Sequence, residues 1–377
     1  MYLKNLHLCS FRNYLDQRVE FDAQKTIVLG NNGQGKSNLL EAVELLATLK
    51  SHRTSRDRDL VLEGKTAGQI EATLEGNYGT AELALTLPQQ GRRTVILNQE
   101  PLRRHIDFLG ILNAVQFSSL DLELVRGGPE CRRNWVDTLL VQLEPIYAHI
   151  LHQYYHVLRQ RNALLKEMRK GEYEGEEISS KTLQLKLWDK QLAENGSRVT
   201  RRRARVLQRL APIAREWHGK ISGQTEKLEI IYGPNVVWLE DDPEKVKADF
   251  LAKIEQRHLA EQQQGKTVVG PHRDEVELII NNTPARSYGS QGQQRTLVLA
   301  LKLAELHLIE EVVGEAPILL LDDVLAELDL NRQNMLLDII QDRFQTLITT
   351  THLSYFDAHW LKESQILSVE EGRIGAF

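Results

Sequence analysis

Close to its start, the chain reads Gly30-Asn31-Asn32-Gly33-Gln34-Gly35-Lys36-Ser37, which fits the phosphate-loop pattern G-x-x-x-x-G-K-[ST]. The apolar run 26–29 before it predicts a short buried strand, and residues 39–49 predict an amphipathic helix. Glycines suit such a loop because its backbone N–H groups must turn inward around phosphate oxygens. The N-terminus of the following helix adds free donors and a favourable dipole. The stretch therefore predicts a site for ATP or GTP.

Within this loop the residue types suggest separate roles. Lys36 is expected to reach the β- and γ-phosphates, and the Ser37 hydroxyl is expected to take one Mg²⁺ position. The predicted nucleotide contacts of this region are Asn32, Gly33, Gly35, Lys36, Ser37 and Asn38.

The second half of the site is predicted at the other end of the chain. The apolar run 318–321 reads as a buried strand that delivers Asp322 and Asp323. A carboxylate at the C-terminal end of a parallel strand can hold Mg²⁺, which is the role expected for Asp322. Asp323, one residue on, is expected to act as the general base that orients the attacking water. It is one methylene shorter than the glutamate that many related ATPases carry there, so hydrolysis is expected to be slow.

Composition restricts the class of protein. The chain has 377 residues, a formal net charge of −5 and only two cysteines, Cys9 and Cys131, with no C-x-x-C pair. Neither a disulfide framework nor a zinc motif is indicated by that spacing, and no apolar stretch approaches the length of a membrane span. We expect a cytoplasmic protein with no membrane partner. Because the net charge is negative, any DNA binding must use a local basic surface.

The spacing of the two motifs predicts the organisation of the chain. They can cooperate only if the chain folds back on itself, which makes the long middle an insertion within an ATPase. We expect an α/β fold with lobe I formed by 1–115 and 312–377. Lobe II, 116–311, is expected to carry a short helical hairpin over about 132–217, where apolar residues step by threes and fours. Pro145 is expected to interrupt the first arm, and a charged turn is expected over 171–177.

Further motifs lie in the order typical of ABC-type ATPases. The segment Ser290-Gln291-Gly292-Gln293-Gln294 precedes a predicted helix and resembles the signature motif with which one subunit contacts the γ-phosphate held by another. A hydroxyl at a helix N-terminus makes a good anion site, although a polar N-cap is the plainer explanation of this serine. Residues 326–329 resemble the D-loop, and His352 resembles the switch histidine. We therefore expect Ser290, Gly292 and Gln293 to bind nucleotide and His352 to be catalytic.

The ordered set of motifs resembles one family from end to end. Together with the short hairpin, it is similar to the RecF family of bacterial recombination mediators, which is related to the heads of SMC proteins. Besides the segments above, the motifs that carry this resemblance are Phe11-Arg12-Asn13-Tyr14, Ser51-His52-Arg53-Thr54, Gly270-Pro271-His272-Arg273-Asp274 and Leu321-Asp322-Asp323-Val324. The resemblance implies that Arg12 and Arg53 lie near the nucleotide and that Gln116 completes the Mg²⁺ shell.

An arginine-rich stretch of the second arm is the predicted DNA surface. At helical spacing Arg198, Arg202, Arg205 and Arg209 share one face. Guanidinium groups there would make salt-sensitive contacts to phosphate without reading sequence. No aromatic residues are interleaved with them, which favours duplex over single-stranded DNA. A solvated helix face is the alternative.

The resemblance implies a slow, Mg²⁺-dependent, DNA-stimulated ATPase. It implies an ATP-dependent homodimer that clamps duplex DNA at single-strand/duplex junctions near gaps and promotes RecA loading in recombinational repair and replication restart. RecR is the implied partner, with RecO as a further candidate. Two alternatives stay open: an SMC-like structural DNA clamp with negligible hydrolysis, and the nucleotide-binding subunit of a transporter. A GTPase is also conceivable, although no guanine-reading N-K-x-D is present.

Overall fold

The computed structural model of the protein describes residues 1–77, 79–171, 176–341 and 343–377. The chain forms two units. Unit 1 comprises Met1–Leu122, Ile213–Lys227 and Ser290–Phe377, and unit 2 comprises Glu123–Pro212 and Leu228–Gly289. Each unit is thus built from segments that are distant in sequence.

Unit 1 contains an antiparallel sheet of six strands. They are β1 (Tyr2–Phe11), β2 (Tyr14–Glu20), β4 (Ala67–Gly76), β5 (Gly79–Pro88), β6 (Thr94–Leu97) and β7 (Glu100–Pro101), in the order β2-β1-β4-β5-β6-β7. Side chains alternate along β1 and β4, with Leu6, Leu8 and Ile70 fully buried and the intervening polar residues on the other face. The apolar face of this sheet therefore forms part of the core of unit 1.

A second sheet of unit 1 carries the predicted site. Its strands are β3 (Lys25–Leu29), β8 (Ala114–Ser118), β12 (Ile318–Asp322), β13 (Thr346–Thr350), β14 (Ser364–Glu370) and β15 (Arg373–Ala376). The order is β15-β14-β3-β13-β12-β8, and every neighbouring pair is parallel except the β14–β15 hairpin. The near-continuous apolar sequence of β12 fits a strand covered on both faces.

Among the described residues, four α-helices lie entirely within unit 1, which also contains the C-terminal end of a longer helix. They are α1 (Lys36–Thr48), α8 (Gln291–Val313), α9 (Leu330–Ile340) and α10 (Ala358–Lys362). Helix α8 is buried on most of its circumference, and it contacts β8 of the parallel sheet. The sequence predicts 116–311 to form lobe II, whereas in the structure 116–122, 213–227 and 290–311 group with unit 1, the last of these through the packing of α8.

Unit 2 is mainly helical. It contains α2 (Glu123–Arg126), α3 (Pro129–Leu143), α4 (Ile146–Lys170), α6 (Pro243–Gln264), α7 (Ala285–Tyr288) and the greater part of α5 (Glu176–Ile221). Its small antiparallel sheet consists of β9 (Leu228–Gly233), β10 (Glu275–Ile280) and β11 (Thr283–Pro284), in the order β11-β10-β9. Asn281 and Asn282, both at positive φ, make the tight turn between β10 and β11.

Most predicted elements of the insertion are confirmed. The break at Pro145 separates α3 from α4, and α5 forms the second arm. Pro212 lies inside α5 without ending it, which the local sequence does not predict. Helix α6 covers most of the polar stretch 256–266. The charged turn predicted over 171–177 includes residues 172–175, which lie outside the described residues.

Candidate nucleotide-binding site

The predicted phosphate loop joins β3 to α1. Gly33 and Gly35 adopt φ angles of 80° and 123°, a region of backbone conformation that residues with a Cβ rarely enter. A Cβ on Gly35 would also lie 2.7 Å from the side-chain nitrogen of Asn13. Glycine is therefore required at Gly35 both by the backbone angle and by the close approach of a neighbouring side chain.

The loop ends at a helix N-terminus suited to an anion. Helix α1 starts at Lys36 after Gly35, no side chain of the described residues caps it, and its first turn contains no acidic residue. The Lys36 side chain is only 3 % exposed, and its Nζ donates a 3.1 Å hydrogen bond to the carbonyl oxygen of Asn31 within the loop. A buried ammonium beside the positive end of a helix forms a favourable environment for phosphate.

The two halves of the predicted site meet at the carboxyl edge of the parallel sheet. Ser37 Oγ donates a 2.7 Å hydrogen bond to Asp322 Oδ1. Thr349 Oγ1 donates a second one, of 2.8 Å, to the same oxygen. Asp322 lies opposite Thr349 in the β12–β13 register, so both side chains reach the end of the sheet that faces the phosphate loop. The structure thus brings together Ser37 and Asp322, the two residues that the sequence predicts as Mg²⁺ ligands.

Asp323 has an unusual backbone conformation. Its φ is 52°, in the left-handed region, and its N–H donates a 2.9 Å hydrogen bond to Thr349 Oγ1. Partial burial raises the pKa of the Asp323 carboxyl above its ordinary value and Asp322 raises it further, while Lys36 acts in the opposite direction. A carboxylate with a raised pKa is the better proton acceptor near neutral pH. Thr349, which holds both aspartates, is a site residue that the sequence alone does not single out.

Gln116 lies on β8, opposite Leu320 of the neighbouring strand β12. Its Nε2 is 3.3 Å from Nε2 of His52, and Nδ1 of that histidine is 2.6 Å from Glu44 Oε2. Its Oε1 is buried and has no hydrogen-bond partner among the described residues. A buried amide oxygen without a donor is a suitable ligand for a hard cation, so this side chain fits the predicted Mg²⁺ role.

Arg12 and Arg53 converge on one buried carboxylate. Glu41, in α1, is fully buried and accepts 2.8 and 2.6 Å hydrogen bonds from Arg12 Nε and Nη2. Arg53 Nη1 lies 3.3 Å from the same carboxylate and donates a 2.6 Å hydrogen bond to Asn38 Oδ1. The two arginines that the resemblance places near the nucleotide are therefore held beside the first turns of α1.

Two asparagines hydrogen-bond to each other and to the phosphate loop. Asn38 Nδ2 donates a 2.8 Å hydrogen bond to Asn13 Oδ1, and Asn13 Nδ2 donates one of 2.7 Å to the carbonyl of Gln34. Asn13 is a loop contact that the sequence did not reveal, although it lies in the Phe11–Tyr14 segment. Asn32, a predicted nucleotide contact, is exposed.

The predicted signature motif forms a helix cap. Ser290 Oγ accepts a 3.2 Å hydrogen bond from the N–H of Gln293, and Gln293 Oε1 accepts one of 2.9 Å from the N–H of Ser290. The side-chain nitrogen of Gln293 also donates to Glu226. Because Ser290 Oγ only accepts in this cap, its hydroxyl hydrogen remains able to donate to an anion. The polar-cap explanation of Ser290 is thus compatible with a nucleotide contact.

Arg332 joins the signature helix to the predicted D-loop. Its guanidinium donates hydrogen bonds of 2.9 and 2.6 Å to Thr296 Oγ1 in α8, and it also pairs with Asp329. Asp329 in turn caps α9 by accepting from the N–H of Arg332. Gly292, at the start of α8, lies with its carbonyl 3.5 Å from Arg332 Nη2. This link between two motifs is visible only in the tertiary structure.

His352 follows β13 and is exposed. Its backbone N–H donates a 3.2 Å hydrogen bond to Thr350 Oγ1, and Thr350 Oγ1 donates in return to the carbonyl of His352. These bonds fix the backbone at the carboxyl end of β13, the strand that also carries Thr349. The imidazole is therefore presented from the same edge of the sheet as the two aspartates.

The arginines predicted to bind DNA are partly engaged by acidic residues of unit 2. Arg202 Nε pairs with Glu144 at 3.0 Å, and Arg205 Nε pairs with Asp241 at 2.6 Å. Arg198 and Arg209 are exposed. Hydrogen bonds from Arg201 and Arg205 hold the pKa of the Asp241 carboxyl below its ordinary value, although its partial burial opposes this. The basic face is thus less strongly positive than the sequence suggests.

A neighbouring arginine of the same run is structural. Arg203 is 1 % exposed and makes two 2.8 Å hydrogen bonds to the carboxylate of Asp137, which is also buried. It also donates to the carbonyl of Pro271 at 2.7 Å and lies 3.2 Å from Asp274. Removing one partner of such a buried pair costs about 3–5 kcal/mol. Helical spacing alone does not distinguish this arginine from its exposed neighbours.

No helix in the described part of the chain is both long enough and apolar enough to cross a membrane. Parallel strands joined to a phosphate loop, an aspartate at the end of β12 and a capped signature helix define the class of protein. They form the α/β head of an ABC-type ATPase.

The sequence model of the family described as "RecF/RecN/SMC N terminal domain" matches residues 2–373 of this chain. The chain belongs to this family and, within it, to the RecF proteins. It is 72% identical to the DNA replication and repair protein RecF of Gloeothece citriformis, with all of both chains covered. It is 64% identical to the protein of that name from Synechocystis sp., over 99% of this chain and 98% of the relative.

Solved structures agree with this assignment. The recombination mediator protein RecF with ATP, in the RecFOR pathway, superimposes with a TM-score of 0.90 and 32% identity, over 100% of this chain and 97% of that one. The Smc head domain of Pyrococcus furiosus matches with a TM-score of 0.56 and 17% identity, over 100% and 96% of the two chains. The match to the Smc head domain shows a common fold.

Proposed function

We propose that the protein is a Mg²⁺-dependent ATPase that acts as a RecF-type clamp on DNA. The observation that carries the proposal is the hydrogen bond between Ser37 and Asp322, because it joins the phosphate loop to the proposed metal ligand from the other end of the chain. The choice of nucleotide is supported by the solved RecF structure with ATP, whose chain is 32% identical to this one. Lys36 and the N-terminus of α1 hold the phosphates, with Asn32, Gly33, Gly35 and Asn38 around them.

Mg²⁺ is the proposed metal. Ser37, Asp322 and Gln116 would provide the oxygen ligands that it prefers. The Oε1 of Gln116 is buried and has no partner in the described part of the chain, which supports this assignment. When bound, the ion neutralises negative charge on the phosphate oxygens. Arg12 and Arg53, held on Glu41, add positive charge beside the same loop.

Asp323 is the proposed general base, with His352 contributing from the next strand. The raised pKa of Asp323 and its fixed backbone suit it to accept a proton from the attacking water. Because its side chain is short, we expect slow turnover. Stimulation by DNA is proposed separately, from the similarity to the DNA replication and repair proteins RecF. The proposed phosphate and metal contacts all belong to one protomer, so nucleotide binding itself does not need a second copy.

A second protomer would complete the hydrolytic site. Ser290, Gly292 and Gln293 of one copy are proposed to contact the γ-phosphate held by the other. Support comes from the free donor capacity of the Ser290 hydroxyl within its cap. ATP then favours the dimer because only a nucleotide with a γ-phosphate binds both copies, and hydrolysis removes that preference.

DNA is the proposed macromolecular ligand. The names of relatives, DNA replication and repair protein RecF, support this choice. We propose that the dimer holds duplex DNA near single-strand gaps and there promotes RecA loading, with RecR as partner and RecO as a further candidate. Arg198, Arg202, Arg205 and Arg209 are the proposed phosphate contacts.

Light scattering with and without ATP and Mg²⁺ tests the dimer directly. Asp323→Asn suppresses turnover, so the mass of this variant should double when ATP and Mg²⁺ are added. Adding Ser290→Arg should abolish the doubling, whereas Ser287→Arg, at an exposed serine three positions earlier, should leave it intact. A monomer under all conditions, including with duplex DNA, would contradict the shared site.

An SMC-like structural clamp is the alternative that the common fold with Smc heads keeps open. It predicts ATP-dependent dimerisation with no DNA-stimulated phosphate release by the unmodified chain. Phosphate release that rises with duplex DNA, and that Asp323→Asn removes, would exclude it.

A further inference from the structure

The polar face of the antiparallel sheet carries a cluster that the nucleotide site does not use. We propose that His7, Cys9 and Asp16 bind a single transition-metal ion of the Zn²⁺ class. One ligand atom of each residue lies within 4.8 Å of those of the other two. All three residues belong to the first hairpin of unit 1, formed by β1 and β2.

Strand register places these side chains together. His7 and Cys9 are two positions apart on β1, so they point to the same face. Asp16 of β2 is the direct cross-strand partner of Cys9. Leu6 and Leu8, which alternate with the two ligands, are fully buried on the opposite face. The cluster therefore results from regular sheet geometry and needs no rearrangement of the backbone.

The distances between the ligand atoms are close to those around a tetrahedral ion. Zn–S and Zn–N bonds of about 2.3 and 2.0–2.1 Å place sulfur and nitrogen roughly 3.5 Å apart at the tetrahedral angle, and sulfur and oxygen about the same. Cys9 Sγ lies 3.4 Å from His7 Nε2 and 3.7 Å from Asp16 Oδ1. His7 Nε2 and Asp16 Oδ1 are 2.7 Å apart, a hydrogen-bond distance that must open by several tenths of an ångström around an ion.

A neighbouring strand supplies the second layer of the site. Glu71 of β4 lies opposite His7, and its Oε2 is 3.1 Å from His7 Nδ1. Gln69 Nε2 donates a 2.7 Å hydrogen bond to the other oxygen of Glu71. A carboxylate on Nδ1 fixes the histidine tautomer that leaves Nε2 free for a metal. Such a partner is typical of metal-binding histidines.

Charge and access also suit a cation. The Asp16 side chain is 68% exposed and that of His7 is 18% exposed, so an ion can enter from solvent. Arg18 is the positive side chain opposite His7 on β2. The carboxylates of Asp16 and Glu71 and a metal-bound thiolate outweigh it. With one sulfur, one nitrogen and one oxygen, the donor set favours Zn²⁺ over Mg²⁺, which prefers oxygen ligands.

A metal here would tie β1 to β2 near the nucleotide site. The turn of this hairpin is formed by Arg12 and Asn13, whose side chains contact Glu41 and the phosphate loop. The ion would therefore restrain a hairpin that supports nucleotide contacts, without itself touching the nucleotide.

Titration of the reduced full-length protein with Co²⁺, in the absence of nucleotide, tests the site. A thiolate bound to Co²⁺ gives a sulfur-to-metal charge-transfer band, which an oxygen-lined Mg²⁺ site does not produce. We expect one equivalent to bind and Zn²⁺ to displace it. Cys9→Ser should abolish the band, and Cys131→Ser, at the other cysteine, should retain it.

The other two proposed ligands, and the carboxylate that orients the histidine, are tested through the affinity of variants for Co²⁺. His7→Gln and Asp16→Asn should each weaken Co²⁺ binding at least tenfold, and Glu71→Gln should weaken it about 10–100-fold through the histidine. His105→Gln, at an exposed histidine of the same unit, should have no effect. Absence of the band, a band that depends on Cys131, or full affinity in His7→Gln and Asp16→Asn would overturn the proposal.

Discussion

Ser37 Oγ donates a 2.7 Å hydrogen bond to Asp322 Oδ1 across 285 positions of sequence. The contact exists because β3, which leads into the phosphate loop, and β12, which ends at Asp322, both pair in parallel with β13. Parallel strands present their carboxyl ends at one edge of a sheet, the usual place for ligands in such folds. Thr349 on the central strand then connects both aspartates.

Replacing Thr349 with Val removes a hydroxyl from this edge while keeping the side-chain shape. Asp322 loses a donor and the N–H of Asp323 loses its acceptor, so we expect the free energy of unfolding to fall by about 1–3 kcal/mol. We also expect ATP hydrolysis to slow at least tenfold, because the backbone of Asp323 is no longer held. Urea unfolding and phosphate release measure the two effects.

Thr26→Val is the matched control for that variant. Thr26 is fully buried near the opposite end of the same sheet, where its hydroxyl donates to Gln365 Oε1. It should lose stability without a specific loss of hydrolysis per folded molecule. Equal hydrolysis by the two variants would argue against a positioning role for Thr349.

Glu41 is expected to be essential for the stability of unit 1. Glu41→Gln keeps the shape but removes the charge that compensates Arg12 and Arg53 in a fully buried position. We expect a loss of about 1–3 kcal/mol in the free energy of unfolding, measured in urea, because the two arginines left behind are partly exposed. Glu63→Gln, at an exposed glutamate of the same unit, should change it by less than about 0.5 kcal/mol. A small effect of Glu41→Gln would show that the arginines have other compensating partners.

If the arginine face of α5 binds DNA, its acidic partners compete with phosphate. Asp241→Asn releases Arg201 and Arg205, so duplex affinity should rise up to about fivefold, the equivalent of a surface ion pair of at most about 1 kcal/mol. Arg202→Ala with Arg205→Ala should weaken binding and reduce the salt slope by about 2. Fluorescence anisotropy over a range of salt concentrations measures both.

Asp249→Asn controls for the change in overall charge. It removes the same unit charge from unit 2, and no ion pair between Asp249 and an α5 arginine is found among the described residues. It should leave duplex affinity nearly unchanged. If Asp249→Asn raised affinity as much as Asp241→Asn, long-range charge rather than these arginines would account for the effect.

His272 is expected to make stability depend on pH. Burial lowers its pKa from 6.5 to about 4, and its Nδ1 is 2.6 Å from the hydroxyl of Tyr154. Between these pH values the unfolded chain binds a proton that the folded chain excludes, so stability falls as pH falls from about 6.5 to 4. The loss amounts to at most about 3 kcal/mol.

Urea unfolding of the unmodified chain and of His272→Asn across this pH range isolates the effect. Asparagine keeps an acceptor for Tyr154 but cannot be protonated, so the difference in stability between the two proteins should shrink towards pH 4. His105→Asn, at an exposed histidine, should show no such trend. A constant difference would place the His272 pKa near its ordinary value.

Local patterns were sufficient to predict the ATPase class and most elements near the site. The phosphate loop, the β12 strand ending in two aspartates, and the capped start of α8 each depend on residues close together in sequence. Asn281 and Asn282 likewise predict their own turn, because asparagine tolerates positive φ. By contrast, the sequence of α6 does not predict a helix clearly, because its polar composition obscures the buried positions Val246, Phe250 and Ile254.

By itself the sequence determined that a nucleotide site exists and which residue types form it, since glycine angles, helix caps and apolar strands are local properties. Only the tertiary structure decided which charged side chains lie at the surface and which are buried in ion pairs. Arg203 is buried on Asp137 while Arg202, one position away, pairs with the exposed Glu144 at the surface. Likewise Thr349, Glu41 and the His7–Cys9–Asp16 cluster acquire their roles from strand register and burial. Those quantities depend on what packs opposite a residue, which no local pattern records.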